Sequence, residues 1–362
     1  MNEENYDSLL TEITENKKVK QRIAYESPFW FSLLYLQHHF TEPLAPFHIE
    51  LFHLLEQNNH DLVAVMAFRE SGKSTICNLC NVLWSVLGKP KKKFVVIVSE
   101  TQEQAKSHFA NIKAELEENE LLREDFGPFN EEKFNKLSLE LIYHGAKIMS
   151  VTRGQHIRGL KYGRYRPDLI ICDDLEDTTS DEDPEVLYER FKNEIIPIGS
   201  KGTKIIVLGN LISEDSFMMQ LKDDIIELGG LFRVYPFLDD CKEILWKEKF
   251  HDEESVMNLR SKLSYDTWKR EYLLDISTLW PTDGEDWSNQ KEQIPLVRQM
   301  KKFKISGPFV GSFEEPKLGD PRYDKYQAYL KKLEIRGLEF RRQKHKEIVA
   351  EIRRIASAEK SD

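Results

Sequence analysis

Apolar positions along the chain fall into short β-branched runs separated by longer stretches of helical spacing. Val63 to Ala67, Phe94 to Val98, Lys147 to Val151, Leu169 to Cys172, Ile205 to Leu208 and Leu231 to Tyr235 are runs of strand length, several without any polar interruption. A strand that is apolar throughout is covered on both faces, which is the habit of a parallel sheet. Between these runs the pattern predicts helices. They are a partly amphipathic segment up to about residue 40 with Phe29-Trp30-Phe31 and Tyr35, then Ile49 to Gln57 after the Pro43 to Pro46 kink. Further on come Gln102 to about Asn119 behind the capping sequence Ser99-Glu100-Thr101, Pro184 to about Ile195, a helix from about Asp252, and Tyr265 to Leu273. Strands alternating with helices imply right-handed crossovers and an α/β fold, a mostly parallel sheet flanked by helices.

This organisation divides the chain into a helical N-terminal segment, 1–40, a main α/β domain with a lid-like subdomain, 41–280, a linker, 281–322, and a charged C-terminal helix, 323–362. The last has many charges and a thin apolar seam, which suits a solvated or partner-docking helix. Net charge is -10, against indiscriminate coating of nucleic acid. The balance is uneven: from Lys291 onward 18 Lys/Arg face 11 Asp/Glu, so the preceding residues stand at -17. No stretch has the apolar length of a membrane span, and the start Met1-Asn2-Glu3-Glu4 lacks the order of a signal peptide, which predicts a cytoplasmic protein without membrane contact. Cys77, Cys80, Cys172 and Cys241 all sit in apolar contexts. The Cys77-x-x-Cys80 pair has no second pair at zinc spacing and reads as core packing.

The candidate chemistry begins where the first buried strand ends. Ala67-Phe68-Arg69-Glu70-Ser71-Gly72-Lys73-Ser74-Thr75 joins that strand to a helix and has the form of a phosphate-binding loop, with Ala67 where the motif has its first Gly. Backbone N–H groups from Arg69 to Thr75 and a helix N-terminus would face the phosphates of ATP. Gly72 allows close approach, Lys73 supplies the charge, and Ser74 offers a hydroxyl to Mg²⁺. Upstream, His48 could read the adenine edge or simply pack at the start of its helix.

A second half follows. Asp168-Leu169-Ile170-Ile171-Cys172-Asp173-Asp174 places carboxylates at the end of a buried strand, Asp173 to hold Mg²⁺ and Asp174 or Glu176 to orient the attacking water. The strand ending at Gly209-Asn210 is expected between the other two, with Asn210 either a γ-phosphate sensor or part of a turn. The stretch Thr152 to Pro167 is basic and punctuated by glycines, as a mobile cationic loop would be.

Taken in order, Pro46-Phe47-His48, Arg69-Glu70-Ser71-Gly72-Lys73-Ser74-Thr75, Arg166 through Asp177, and Leu245-Trp246…Phe250 followed by Trp268 to Leu273 resemble the ATPase half of the large terminase subunit of tailed phages. The resemblance covers about residues 25 to 280. It implies a P-loop NTPase fold of the ASCE type and an ATP-driven motor that moves double-stranded DNA into a procapsid, gripping the backbone non-specifically and hence in a salt-sensitive way. It also implies a homo-oligomeric ring at the portal protein in the host cytoplasm, served by a small terminase subunit. Arg69 would contact the γ-phosphate. Arg158 would be the arginine finger reaching a neighbouring subunit, with Arg153 and Arg164 as rivals. The residues after Trp280 contain no apolar strand ending in Asp, so the nuclease activity is expected on a separate chain. Two other readings stay open at this stage: an ATP-binding assembly factor with little turnover, suggested by Ala67 and Asp174, and a helicase-like nucleic-acid-dependent ATPase.

Overall fold

The β-branched runs form strands, and they lie side by side. In the structure, a computed structural model, the strands are β1 (Leu62–Ala67), β2 (Phe94–Ser99), β3 (Lys133–Phe134), β4 (Ser138–Leu141), β5 (Ala146–Thr152), β6 (Leu169–Asp173), β7 (Lys204–Gly209) and β8 (Leu231–Tyr235). They make one sheet in the order β3-β4-β5-β2-β6-β7-β1-β8. From β5 to β8 every pairing is parallel. The β3 and β4 strands add antiparallel pairings at one edge, which the hydrophobic pattern did not announce because both are short. The structure describes residues 17–57, 59–129, 133–134, 137–155, 157–176, 182–239 and 243–275. The expected linker and charged C-terminal helix lie outside these residues, as do residues 1–16 and Cys241.

Helices follow the predicted alternation within the unit Ala24–Asp286. Pro28–Tyr35 and Pro46–Glu56 precede β1. The helix after the phosphate-binding loop runs through a π-helical stretch, Thr75–Cys80, into Asn81–Leu87. Gln102–Glu118 starts on a capping box, in which the Thr101 hydroxyl accepts from Gln104 N at 3.2 Å and the Gln104 side chain accepts from Thr101 N at 3.1 Å. Pro184–Arg190 begins behind Asp183, whose carboxylate accepts from Glu185 N at 2.9 Å. Phe217–Asp224, Glu253–Ser261, Tyr265–Thr267 and Trp268–Leu273 follow later in the chain. None of them is long and apolar enough to cross a membrane.

Strands β1, β2, β6 and β7 are buried at every position, as uninterrupted apolar runs require. Cys77, Cys80 and Cys172 are buried free thiols, and burial pushes the Cys80 thiol up to about 12. They are packing residues, as their setting predicted. Lys204 anchors the helix before β1 to the sheet, donating from Nζ to the carbonyls of Gln57 at 2.7 Å and His60 at 2.9 Å. Because β1, β7, β6 and β2 are parallel and in register, with Met66 beside Gly209 and Asp173 beside both Leu208 and Ser99, their carboxyl ends share one edge. In an open parallel sheet that edge is where ligands bind.

Candidate functional site

The loop leaving β1 is clamped from two sides. Beneath it, His48 sits fully buried in the helix Pro46–Glu56. Its Nδ1 accepts from Ala45 N at 2.9 Å, so its Nε2 carries the proton and donates to Ser71 O at 2.7 Å. With both ring nitrogens engaged, His48 has no edge left for a base. Its place is a correction to the adenine-reading expectation: it supports the loop, and a Cβ on Gly72 would stand 3.6 Å from its Nε2. Gly72 itself adopts φ +79, a conformation that L side chains rarely enter.

On the other side, Glu70 holds φ +65, costly for a residue with a Cβ, and three contacts keep it there. Lys249 Nζ donates to both Glu70 O and its carboxylate, each at 3.1 Å, and Tyr272 Oη donates to the carboxylate at 3.2 Å. Arg69 N donates to Glu271 O at 2.7 Å, and its guanidinium meets the Glu271 carboxylate at 2.6 Å. The segments around Trp246 to Phe250 and Trp268 to Tyr272 therefore pack directly on the loop. An aromatic cluster joins them, with Phe237 5.5 Å from Phe68, 4.9 Å from Phe250 and 5.1 Å from Trp268.

Within the cleft, Lys73 is buried and donates to Asn210 Oδ1 at 2.8 Å, with Asp174 Oδ1 4.0 Å away. The end of β7 thus meets the loop lysine through the Asn210 side chain. Ser74 Oγ lies 3.3 Å from Asp173 Oδ1. The other oxygen of Asp173 accepts from Asn78 Nδ2 at 2.6 Å and lies 3.0 Å from His108 Nε2. Burial alone would raise the Asp173 carboxyl, but the His108 contact, the Lys73 charge and Asn78 outweigh it and hold it below the ordinary range. Asp174 differs: burial, with the Asp173 charge beside it and against the pull of Lys73, pushes it up to about 6. Its backbone, at φ +44, turns sharply off the end of β6.

The remaining candidates are not all in the cleft. Glu176 accepts from Phe217 N at 2.8 Å, and so caps the helix Phe217–Asp224; burial raises its carboxyl. Arg153 is held by Leu175 O at 2.7 Å and by Glu100 and Glu182, both at 3.4 Å. Arg158 is 69% exposed and meets Glu194 at 3.1 Å. Arg164 lies over its neighbour Tyr165. Thr75 begins the π-helical stretch behind the loop. Sequence reasoning missed Asn78, His108, Lys249, Glu271 and Tyr272. Asn78 stands four residues after Ser74, on the same helix face, and could have been found that way. The other four reach the site only through the packing of distant elements.

The His48 arrangement gives a stability prediction. Burial lowers its pKa to about 4, against 6.5 when exposed. Between these values the unfolded chain binds a proton that the folded chain does not, so stability falls as pH drops from about 6.5 to about 4, by about 3 kcal/mol, and is retained above that window. Denaturant unfolding at pH 7.5 and pH 5 should show this loss in the native chain and less of it in His48→Gln. Equal pH slopes in the two would refute it.

The loop, the strand order β6-β7-β1 and the grouped Lys73, Ser74, Asp173, Asp174 and Asn210 define the fold as that of a P-loop NTPase. No protein-family model matches the sequence and no curated protein matches it. Solved structures similar to it include the bacteriophage HK97 large terminase, at 15% identity and TM-score 0.47 over 64% of this chain and 50% of that one. They also include the large terminase of a thermophilic bacteriophage in complex with ATP-gamma-S, at 11% and 0.46 over 64% and 52%. The large terminase ATPase domain of Thermus phage P74-26 matches at 15% and 0.43 over 61% and 90%. The chain spans about half the length of the first two of these terminases.

Proposed function

We propose that the chain is the ATP-hydrolysing motor of a viral packaging machine, driving double-stranded DNA into a procapsid. The observation that carries the hydrolase reading is the convergence of Lys73, Ser74, Asp173, Asp174 and Asn210 at the carboxyl edge of three adjacent parallel strands. The packaging role is supported by the order of terminase-like motifs along residues 25 to 280.

The donor set fits Mg²⁺. Ser74 Oγ and Asp173 Oδ1 are hard oxygen donors side by side, and His108 and Asn78 turn the other carboxylate oxygen away from them. When bound, Mg²⁺ draws charge from the β- and γ-phosphate oxygens. Lys73 neutralises the same oxygens, and its bond to Asn210 links the phosphates to the end of β7. Asp174 accepts the proton of the attacking water as the new P–O bond forms and the bond to the ADP oxygen breaks. Arg69 is held beside the loop by Glu271 and contacts the γ-phosphate on leaving that pair. Arg158, on the basic loop, reaches the neighbouring subunit's site in a ring at the portal, where DNA is gripped by its backbone.

The test is steady-state hydrolysis of Mg-ATP by the purified chain, with and without double-stranded DNA, beside Lys73→Ala. Turnover that DNA stimulates and that falls ~10²–10³-fold in the variant is expected. ATP binding without turnover would instead make the chain an assembly factor. Stimulation by single-stranded but not duplex DNA would favour a helicase-like enzyme.

A further inference from the structure

Away from the cleft, His38, His39 and Glu115 form a group that the hydrolase reading does not use. Gln37–His39 is a single 3₁₀ turn following the helix Pro28–Tyr35, and it points both imidazoles at one carboxylate. His38 Nε2 and His39 Nε2 each lie 2.7 Å from the same oxygen, Glu115 Oε1. The other oxygen of Glu115 accepts from Asn119 Nδ2 at 2.7 Å, and that amide also donates to Tyr35 O at 2.7 Å. We propose that His38, His39 and Glu115 bind one Zn²⁺ ion, which staples the turn after the helix Pro28–Tyr35 to the helix Gln102–Glu118.

Three features support a metal site over a local hydrogen-bond cluster. The first is the donor set: two imidazole nitrogens and one carboxylate oxygen, all within 4.8 Å of one another. That set suits zinc-class ions, whereas Mg²⁺ takes oxygen ligands. Bonds of ~2.0–2.1 Å to a tetrahedral ion set ligand atoms ~3.3 Å apart, so each 2.7 Å imidazole–carboxylate contact would open by ~0.6 Å. The second is the outer contact: Asn119 fixes the carboxylate in the manner of groups that orient metal ligands. The third is charge. The Glu115 side chain is 8% exposed, and among the described residues it has no Lys or Arg partner. A dication bound there would give this buried carboxylate a charge partner. His38, 56% exposed, leaves an entry path and room for water as a fourth ligand.

The placement has a consequence for the cleft. Glu115 stands two turns after His108 on the same helix, and His108 contacts Asp173 at 3.0 Å. An ion on Glu115 steadies the element that carries His108.

The experiment uses the full chain, freed of metal with EDTA and dialysed into saturating Mg²⁺ so that the oxygen-rich site is filled. Calorimetric titration with Zn²⁺ should show one equivalent bound. The His38→Ala, His39→Ala double variant and Glu115→Gln should each bind at least ~10–100-fold more weakly. Zn²⁺ should raise the native thermal midpoint by ~5–10 °C and leave the double variant's unmoved. A second measurement needs no variant: Zn²⁺ should protect His38 and His39 of the native chain from diethyl pyrocarbonate. Absence of binding in the native chain, equal binding in native and variants, or unprotected His38 and His39 at saturating Zn²⁺ would each overturn the proposal.

Discussion

Replacing Asp174 by Asn is expected to lower ATP turnover by ~10²–10⁴-fold while leaving nucleotide affinity within a few-fold. The carboxylate sits 4.0 Å from the Lys73 ammonium, at the end of β6, where a proton from water would be taken. Asn keeps the size and tolerates the left-handed backbone found there, φ +44, so the substitution removes the base and little else. Glu176→Gln is the informative comparison, because both acids fit the base position from spacing alone. Glu176 caps the helix Phe217–Asp224, and the Gln amide oxygen can still accept from Phe217 N, so the substitution should cost at most about 1 kcal/mol of stability with turnover largely kept. Single-turnover hydrolysis with pre-bound Mg-ATP checks the pair. A loss of hydrolysis in Glu176→Gln with an active Asp174→Asn would reverse the assignment.

Arg158→Ala should reduce turnover by ~10³–10⁵-fold under conditions where the native rate per chain rises with protein concentration. A guanidinium that acts on a neighbour's phosphates must be able to leave its own surface at small cost. Arg158 meets that condition, since it is 69% exposed and its pair with Glu194 is a surface ion pair worth under about 1 kcal/mol. Arg153 does not, being tied to Leu175 O, Glu100 and Glu182 behind the acidic strand. Arg164 is exposed as well and serves as the control. Mixing Arg158→Ala chains with Lys73→Ala chains gives the sharper readout: each supplies what the other lacks, so activity should return on mixing. Failure of mixing to restore any turnover, or a loss confined to Arg164→Ala, would remove Arg158 from the role.

The strands were legible because a run such as Val63 to Ala67 or Ile205 to Leu208 satisfies one local demand, burial on both faces, that no helix or loop shares at that length. The loop at Gly72-Lys73-Ser74 and the acids Asp173 and Asp174 were legible for a related reason: their chemistry needs neighbours in sequence. Spacing could not choose between Asp174 and Glu176, since both follow the same strand. A backbone turn at Asp174 and a helix start at Phe217, 41 residues after Glu176, separate them in the structure.

The sequence by itself determined the six parallel strands, their α/β order and the candidate phosphate-binding loop, because those follow from local pattern and from groups a few residues apart. Tertiary structure alone decided that His48 supports the loop from below, that Lys249, Glu271 and Tyr272 clamp it from above, and that His108 and Asn78 orient Asp173. It also decided that His38 and His39 face Glu115, 76 positions away from the second of them. These contacts join residues far apart in the chain, and their energies depend on burial and on direction. Neither quantity exists until the sheet has brought the elements together.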